Sequence, residues 1–356
     1  MQQDRKDHLE FNSSFGCVIP RAVPEGIVPL IAVEGTAFEC GQNYAELVIQ
    51  KYAGYRKYLD KVEGFFTSGD TKRLFEQRAP YVPDIYNGML SVVGSNQQTT
   101  EAEEKSGCTC FGVSGSITLD GEPISGQNKD PGLDRVFKYI VLRMRIKNGP
   151  TILVLAYPGE VLGYGMWSTG MSLFRSDLYS TAESDRGLEF EYWGLLALAG
   201  QSVDESAETA KKYGLRGCGS YLISDGAGKS ISIESNIGGI SIIPSRDGIA
   251  THANHPVGEN TAPFEAYPNK IEAENSRYRM NGLWELLNTE RGRLTAQKSL
   301  MCLSDHAKYP RGICRHIIGD SKDMCTTASV IAEPTKGKLH VVRGNPCSNW
   351  PTTYTI

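Results

Sequence analysis

Strand-like and helix-like segments of this chain come in blocks rather than in strict alternation, and this order constrains the fold most strongly. A predicted strand from Ile27 to Val33 precedes helical segments from Phe38 to Val62 and from Arg73 to Val93. Strand signals then dominate from Cys108 onward, before further helices and two last strands. Such blocks favour two antiparallel sheets with helices outside them, and they fit a generic α+β domain equally well.

Turn signals divide the second part of the chain into short strands. Asp120-Gly121 and Asp225-Gly226 each predict a hairpin, and the acidic stretch Asn96 to Lys105 is predicted to be an exposed loop. The other predicted strands are Phe137 to Ile146, Thr151 to Tyr157, Ile240 to Ile243, Gly248 to His252, Ala328 to Ala332 and Lys338 to Val342. The predicted helices are Glu189 to Ala199, Val203 to Tyr213, Lys270 to Leu287 and Ala296 to Leu303.

Composition excludes several classes of protein. The chain has 356 residues, a formal net charge of −4 and no basic stripe, so a nucleic-acid partner is not expected. No apolar run is long enough to span a bilayer, and the N-terminus has no signal-like apolar region, so a cytoplasmic protein without a membrane partner is expected. The nine cysteines include no C-x-x-C pair, which favours free thiols in a reducing compartment. No linker is visible, and a single domain over residues 1–356 is predicted.

The segment Ser106 to Cys110 carries the most chemical information. Gly107 has no side chain, so its carbonyl can be approached closely by the thiol of Cys108. Attack on that carbonyl would move the acyl group from nitrogen to sulfur, and water could then release it. The product would have a free α-amine on Cys108, with a reference pKa of about 8. That amine could act as the base for its own thiol, so one residue would supply both nucleophile and base.

Simpler interpretations of the same residues stay open. A glycine–cysteine pair at the start of a strand is more often a packing feature, and Cys108 with Cys110 could suggest a metal site. A structural zinc site needs four clustered ligands, however, and no second Cys/His cluster is visible at suitable spacing. No metal and no cofactor are therefore predicted.

The order of several short motifs resembles a known family. Gly107-Cys108-Thr109, a hairpin and then Gly126 to Asp130 are similar to the signature of the acyl-coenzyme A:6-aminopenicillanic acid acyltransferase (isopenicillin N acyltransferase) family. This family belongs to the N-terminal nucleophile (Ntn) hydrolases, which include bile salt hydrolases and penicillin V acylases. The segments Gly35 to Gly41, Thr251 to His255 and Tyr309 to Arg315 resemble further family motifs in the same order. The matches are short, but together they cover most of the chain.

The resemblance implies a fold and a processing event. The fold would be an αββα four-layer sandwich of two antiparallel sheets flanked by helices. The precursor would be cleaved between Gly107 and Cys108 into an N-terminal chain, residues 1–107, and a C-terminal chain, residues 108–356. The two chains would stay together as a heterodimer.

The resemblance also implies roles for four residues. Cys108 would be the nucleophile, and Asp130 would orient its new α-amine. Asn254 would donate its side-chain amide to the oxyanion, and Arg315 would favour the thiolate and fix the carboxylate. Each residue also has a structural interpretation, because Asp130 could begin a turn, Asn254 could cap a loop, and Arg315 could form a surface salt bridge. His252 and His255 are expected to support the Asn254 loop rather than bind a metal.

One departure from the family pattern concerns the substrate. The family often has Gly-x-Asn-x-x-Gly where this chain has Gly165 to Gly170, with Trp167 and Ser168 in place of the expected asparagine, so penicillin chemistry is not assumed. Four apolar residues could line an acyl pocket or could equally belong to the core: Trp167, Met171, Leu173 and Phe174.

The expected function is hydrolysis of a small N-acyl amide through a thioester on Cys108, or transfer of the acyl group to another amine. Hydrolysis is favoured because water is always present and no acyl-CoA site is visible in the sequence. The alternative within enzymes is an acyl-CoA-dependent N-acyltransferase. The alternative from another class is an unprocessed small-molecule-binding protein with the same fold.

Overall fold

The computed structural model describes residues 26–52, 69–93, 107–317 and 324–356. Its α-helices are α1 (Ala37–Lys51), α2 (Gly69–Arg78), α3 (Tyr81–Val93), α4 (Phe190–Ala199), α5 (Val203–Tyr213), α6 (Lys270–Thr289) and α7 (Ala296–Leu303). The first nine strands are β1 (Leu30–Gly35), β2 (Gly107–Val113), β3 (Ile124–Asp130), β4 (Ile140–Ile146), β5 (Thr151–Ala156), β6 (Tyr164–Trp167), β7 (Ser172–Asp177), β8 (Leu188–Glu189) and β9 (Leu215–Arg216). The others are β10 (Gly219–Ser224), β11 (Ser230–Asn236), β12 (Gly239–Pro244), β13 (Ile249–His252), β14 (Ala328–Glu333), β15 (Lys338–Arg343) and β16 (Thr352–Thr355).

The strands form two large sheets. The first has eight strands in the order β1-β4-β5-β6-β7-β10-β11-β12, and the second has six in the order β13-β2-β3-β14-β15-β16. The second sheet is antiparallel throughout, whereas the first contains one parallel pair, β1 with β4, at its edge. Strands β8 and β9 form a separate short parallel pair. The predicted pair of largely antiparallel sheets is therefore confirmed.

Side chains along each strand point alternately to the two faces of its sheet, and the apolar ones form three layers. In β4, Leu142 packs with helices α1 to α5, whereas its neighbour Val141 packs between the two sheets. In β14, Val330 faces the space between the sheets and Ile331 faces α6 and α7. Successive side chains of a strand point to opposite faces, so each sheet buries both of its faces. The order of layers is helix, sheet, sheet, helix, and the predicted αββα sandwich is confirmed.

Helix α1 is stabilised by a capping box at its N-terminus and packs closely against α3. Thr36 and Glu39 form a capping box, in which Thr36 Oγ1 accepts from the backbone N–H of Glu39 at 3.3 Å and Glu39 Oε2 accepts from that of Thr36 at 2.8 Å. A Cβ built on Gly41 would lie 1.9 Å from the carbonyl oxygen of Ile85 in α3. The backbones of α1 and α3 can therefore approach this closely only because residue 41 is glycine.

Most predicted elements occur, with small shifts at their ends. Helices α5 and α7 have the predicted bounds, and β1 lies a few residues later than predicted. Strands β7, β8, β9 and β16 were not predicted. β8 and β9 have two residues each, and β7 and β16 contain too few apolar residues to give a strand pattern. The predicted extension of α1 to Val62 and the predicted loop from Asn96 to Lys105 lie outside the described residues. Within the described ranges, the helices are too short or too polar to cross a membrane.

Candidate active site

Cys108 lies at the beginning of β2, the second strand of the six-stranded sheet. This strand pairs with β3 on one side and with β13 on the other, and it places Gly107 opposite Asp130 and Cys108 opposite Lys129. The Cys108 side chain is completely buried. Cys110 packs in the layer between the sheets, so Cys108, two residues earlier, points into the same layer. The fold therefore presents this thiol to the interior of the sandwich.

Asn254 contacts the backbone nitrogen of Cys108. The Cys108 N–H donates to Asn254 Oδ1 at 3.0 Å, while Asn254 Nδ2 donates to the carbonyl oxygen of Asp177 at 2.9 Å. The structure thus brings Asn254 next to Cys108, the predicted nucleophile. Its side-chain oxygen faces the amide nitrogen at position 108, a contact that differs from the predicted donation to an oxyanion.

Two histidines hold the loop that carries Asn254. His252 Nε2 lies 2.6 Å from Glu234 Oε1, and both side chains are buried. Ser276 Oγ accepts from the backbone N–H of Asn254 at 2.9 Å and lies 2.9 Å from His255 Nδ1. Burial lowers the pKa of His255 to about 3, with repulsion from nearby positive groups acting in the same direction. Both histidines therefore support the loop, as expected from the sequence.

Asp130 presents one hydrogen-bonded and one unbonded carboxylate oxygen. Oδ1 accepts from Thr326 Oγ1 at 2.7 Å. Oδ2 is buried, has no hydrogen-bond partner among the described residues, and lies 3.9 Å from Arg279 Nη1. Burial raises the pKa of Asp130 above its ordinary value, although the guanidinium groups of Arg279 and Arg315 oppose this shift. A carboxylate oxygen is thus available next to the backbone of Gly107, opposite which Asp130 lies.

Arg315 approaches the same backbone from the other side. Its guanidinium forms an ion pair with Glu272, with Nη2 and Oε2 3.1 Å apart, and donates to Asn275 Oδ1 at 3.3 Å. A Cβ built on Gly107 would lie 3.2 Å both from Arg315 Nη1 and from Asp130 Cβ. Glycine at position 107 therefore allows both side chains to pack against this peptide. The predicted neighbours Cys108, Asp130 and Arg315 are brought together, although the ion pair of Arg315 is with Glu272.

Arg279 was not predicted from the sequence, yet it contacts the backbone of Cys108 and the side chain of Asn254. It lies in α6, is 1% exposed, and donates through Nη1 to the Cys108 carbonyl oxygen and to Thr109 Oγ1. Its Nη2 donates to Asn254 Oδ1 at 2.7 Å, and its Nε donates to Asn275 Oδ1 at 3.0 Å. One side chain therefore links the backbone of Cys108 to the asparagine that contacts its nitrogen.

Aromatic side chains and a lysine lie on the Cys108 side of the interior. Lys129 Nζ is 3.8 Å from the centre of the Tyr164 ring, and the rings of Tyr139 and Tyr157 stack with centres 5.1 Å apart. Burial lowers the pKa of Lys129, but interaction with Cys108 and with Tyr164 outweighs it and leaves the pKa above its ordinary value. Lys129 and Tyr139, rather than Trp167, Met171 or Leu173, interact electrostatically with Cys108.

The predicted acyl-pocket residues lie elsewhere in the core. Trp167, Met171 and Leu173 pack on the helix-facing side of the eight-stranded sheet, and Trp167 contacts the ring of Tyr81 in α3. Phe174 lies on the opposite side, in the layer between the sheets. The structure therefore does not bring Trp167, Met171 or Leu173 to Cys108.

A group of side chains that could hold a metal ion includes none of the residues predicted for the active site. In the described part of the chain it consists of His306, Cys314, His316 and Cys347, whose ligand atoms all lie within 4.8 Å of one another. From the sequence, the two cysteines were expected to be scattered single thiols. Spacing along the chain gave no indication of this group, because the loop after α7 and the loop after β15 meet only in the folded molecule.

Comparison with known proteins gives structural matches only. No family model matches the sequence, and no curated protein matches it. A mutant of the conjugated bile acid hydrolase from Clostridium perfringens is similar, with 13% identity and a TM-score of 0.46 over 70% of this chain and 97% of that chain. A variant of the same hydrolase gives 13% identity and a TM-score of 0.47 over the same shares. Penicillin V acylase from Agrobacterium tumefaciens gives 11% identity and a TM-score of 0.37 over 66% of this chain and 83% of that chain.

Proposed function

We propose that this protein is a self-processing amidohydrolase whose nucleophile is the N-terminal cysteine released by cleavage between Gly107 and Cys108. The observation that carries the proposal is the 3.0 Å contact between the Cys108 nitrogen and Asn254 Oδ1, inside a buried site. A backbone nitrogen held by a side-chain oxygen, next to an unbonded carboxylate oxygen of Asp130, is an arrangement suited to a free α-amine.

Cleavage begins at the peptide bond before the nucleophile. The sulfur of Cys108 attacks the carbonyl carbon of Gly107, the carbon–nitrogen bond breaks, and the thiol proton ends on the nitrogen. Water then hydrolyses the resulting thioester, which leaves a carboxylate on Gly107 and an amine on Cys108. Hydrogen bonds from Arg279 to the Cys108 carbonyl and from the Cys108 N–H to Asn254 hold the nucleophile's backbone during this rearrangement.

The new amine takes over the role of general base. Asn254 Oδ1 already faces this nitrogen, and Asp130 Oδ2 provides a second acceptor. The amine removes the thiol proton, and the positive charges of Arg279 and Arg315 favour the thiolate. The thiolate attacks the acyl carbon of a small N-acyl amide, the amine product leaves with the proton, and water hydrolyses the thioester. Attack by a second amine in place of water would give acyl transfer.

The test of processing is intact mass measurement with N-terminal sequencing. The wild type should yield two polypeptides, the second beginning at Cys108, whereas Cys108→Ala should remain a single chain. Cys110→Ala is the matched control, because Cys110 is a buried thiol in the same strand and should leave cleavage intact. A catalytically active protein with the bond before Cys108 unbroken would overturn the proposal.

The test of turnover uses a panel of acylated amino acids, acylated amines and lactams. Acyl release should be lost in Cys108→Ala and strongly reduced in Cys108→Ser, because an alcohol is a poorer nucleophile than a thiolate. Comparison of product formation with and without an added amine separates hydrolysis from transfer. Turnover by Cys108→Ser equal to that of the wild type would contradict the role of the thiol. A wild type that stays full-length, behaves like Cys108→Ala and only binds small molecules would point to the non-catalytic alternative.

A further inference from the structure

Two loops bring two histidines and two cysteines to one point. His306, Cys314 and His316 lie in the segment that follows α7, and Cys347 lies in the loop that follows β15. The two sulfurs are 3.7 Å apart, and the two Nε2 atoms are 2.9 Å apart. His316 Nε2 is 3.5 Å from the sulfur of Cys314 and 3.6 Å from that of Cys347. Four ligand atoms of the kinds that bind soft divalent metals therefore converge.

These separations are close to the edges of a coordination tetrahedron. Zn–S bonds of about 2.3 Å and Zn–N bonds of about 2.0–2.1 Å place ligand atoms about 3.8 Å (S–S), about 3.5 Å (S–N) and about 3.4 Å (N–N) apart. The sulfur–sulfur edge and the two sulfur–nitrogen edges that involve His316 match these lengths. The other two sulfur–nitrogen edges, which involve His306, are no longer than 4.8 Å. The edge between the two imidazoles is shorter, and a small rotation of the exposed His306 ring would open it.

We propose that His306, Cys314, His316 and Cys347 bind one zinc ion. A two-cysteine, two-histidine tetrahedron is a set typical of structural zinc. Four protein ligands leave no coordination position for water or substrate, so the ion would stabilise structure and take no part in the reaction. Cys314 and Cys347 are separate thiols, both available as ligands.

Contacts around the four ligands fit this assignment. Asn345 Nδ2 donates to the Cys314 sulfur at 3.4 Å and to the carbonyl oxygen of Arg315 at 2.8 Å. Hydrogen bonds of this kind orient the side chains that coordinate a metal and adjust their charge. Without a metal, the same cluster would bury the thiol of Cys314, a weak hydrogen-bond donor, against the imidazole of His316 with little gain.

The site would also fix the position of Arg315. Two of the four ligands, Cys314 and His316, are its neighbours in sequence, and its guanidinium reaches the peptide of Gly107. A metal joining this segment to the loop after β15 would therefore hold Arg315 in place. This consequence rests on the proposed function, whereas zinc binding itself does not.

Metal content tests the proposal directly. Full-length protein made without a histidine tag or chelator should contain about one zinc ion per chain by elemental mass spectrometry. Cys347→Ser and His306→Gln should lose most of that zinc. Cys218→Ser and His340→Gln are matched controls, because they change the same residue types outside the cluster, and they should keep it. Loss of zinc in the cluster variants with full processing at Cys108 would separate this proposal from the proposed function.

A second measurement covers the case in which a cluster variant fails to fold. The wild type, stripped of zinc and loaded with cobalt(II), should show the visible absorption of a four-coordinate site and thiolate charge-transfer bands in the near ultraviolet. Wild-type protein that contains no zinc as purified, takes up none after dialysis against zinc, and gives no thiolate bands with cobalt would overturn the proposal. A disulfide between Cys314 and Cys347 in protein prepared under reducing conditions would overturn it as well.

Discussion

Arg279 illustrates how much of the site depends on a single buried charge. Its guanidinium group contacts the backbone of Cys108, the side chain of Asn254 and, at 3.9 Å, the carboxylate of Asp130. Burial lowers the pKa of Arg279, and Arg315 acts in the same direction, whereas Asp130 opposes both. The carboxylate of Asp130 therefore stabilises two buried guanidinium groups that repel each other.

Replacement of Arg279 should lower the free energy of unfolding substantially. Arg279→Ala leaves the buried Asp130 without its ion-pair partner. Loss of one member of such a pair destabilises a protein by about 3–5 kcal/mol. Arg277→Ala is the matched control, because Arg277 lies in the same helix with a half-exposed side chain paired to Glu265, and it should cost about 1 kcal/mol or less. Urea unfolding of both variants measures the difference. Equal free energies of unfolding would show that Arg279 contributes no more than a surface arginine.

His255 should make stability depend on pH. Its folded pKa, about 3, lies below the ordinary 6.5, so its contribution is fully present above pH 6.5 and is lost as the pH falls toward 3. Between pH 7 and pH 5 the loss should be about 2 kcal/mol, because the unfolded chain takes up a proton that the folded chain does not. His255→Gln should remove that part of the slope in unfolding measurements at both pH values. An unchanged slope in the variant would contradict the assignment.

Helix α6 shows which part of the site was accessible from sequence and which part was not. Its inward face begins with polar residues (Asn275, Ser276 and Arg279) and continues with the apolar pair Leu283 and Leu287. Helical periodicity predicted this helix correctly. The polar residues at inward positions were a visible signal for a buried site, but the periodic pattern alone does not show what they face.

The same distinction applies to the rest of the molecule: residues in short sequence motifs could be predicted, whereas contacts between distant segments could not. Short motifs around Cys108, Asp130, Asn254 and Arg315 are local in sequence, so these residues could be named before the fold was known. The meeting of His306 with Cys347 depends on the packing of two loops far apart in the chain, which no local pattern encodes. Trp167 was misleading for a related reason, because strand position alone does not tell which face of a sheet a side chain occupies.

The contact between α1 and α3 should be highly sensitive to a single methyl group. Gly41→Ala places a Cβ 1.9 Å from a backbone carbonyl oxygen in α3, where no flexible side chain can move aside. The expected loss of stability is about 1–3 kcal/mol or more, as for other overpacked cores.

Gly282→Ala in α6 is the matched control, because its new Cβ would meet only the Tyr278 ring at 3.6 Å. It should be neutral or stabilising by up to about 1 kcal/mol, since alanine favours helix. Thermal and urea unfolding measure both variants, and a Gly41 variant as stable as the Gly282 variant would contradict the close approach of α1 and α3.

At the scale of the whole molecule, the segment before Cys108 contributes to the core of the rest. Strand β1 pairs with β4 over six residues, and buried side chains of α1 and α3 pack on the eight-stranded sheet. The hydroxyl of Tyr354, near the C-terminus, donates to the carbonyl oxygen of Val28. These contacts do not depend on the bond between Gly107 and Cys108.

The two polypeptides predicted from processing should therefore remain together. Native mass spectrometry should show one particle with the mass of the full chain, while a denaturing gel resolves two pieces. Cys108→Ala should show the same native mass and a single band. Elution of the N-terminal piece on its own in native buffer would contradict the prediction.

The parallel pairing of β1 with β4 has a consequence for refolding of the protein after it has been unfolded. In the uncut chain these strands belong to one polypeptide, so their pairing is intramolecular. The entropic cost of this pairing grows only slowly with the length of the connecting segment. After the proposed cleavage, the same edge could form again only when two separate polypeptides collide, at a rate set by their concentration. Heat or denaturant should then inactivate the cleaved protein less reversibly than the uncut one, so the lifetime of its activity would be governed by its rate of unfolding.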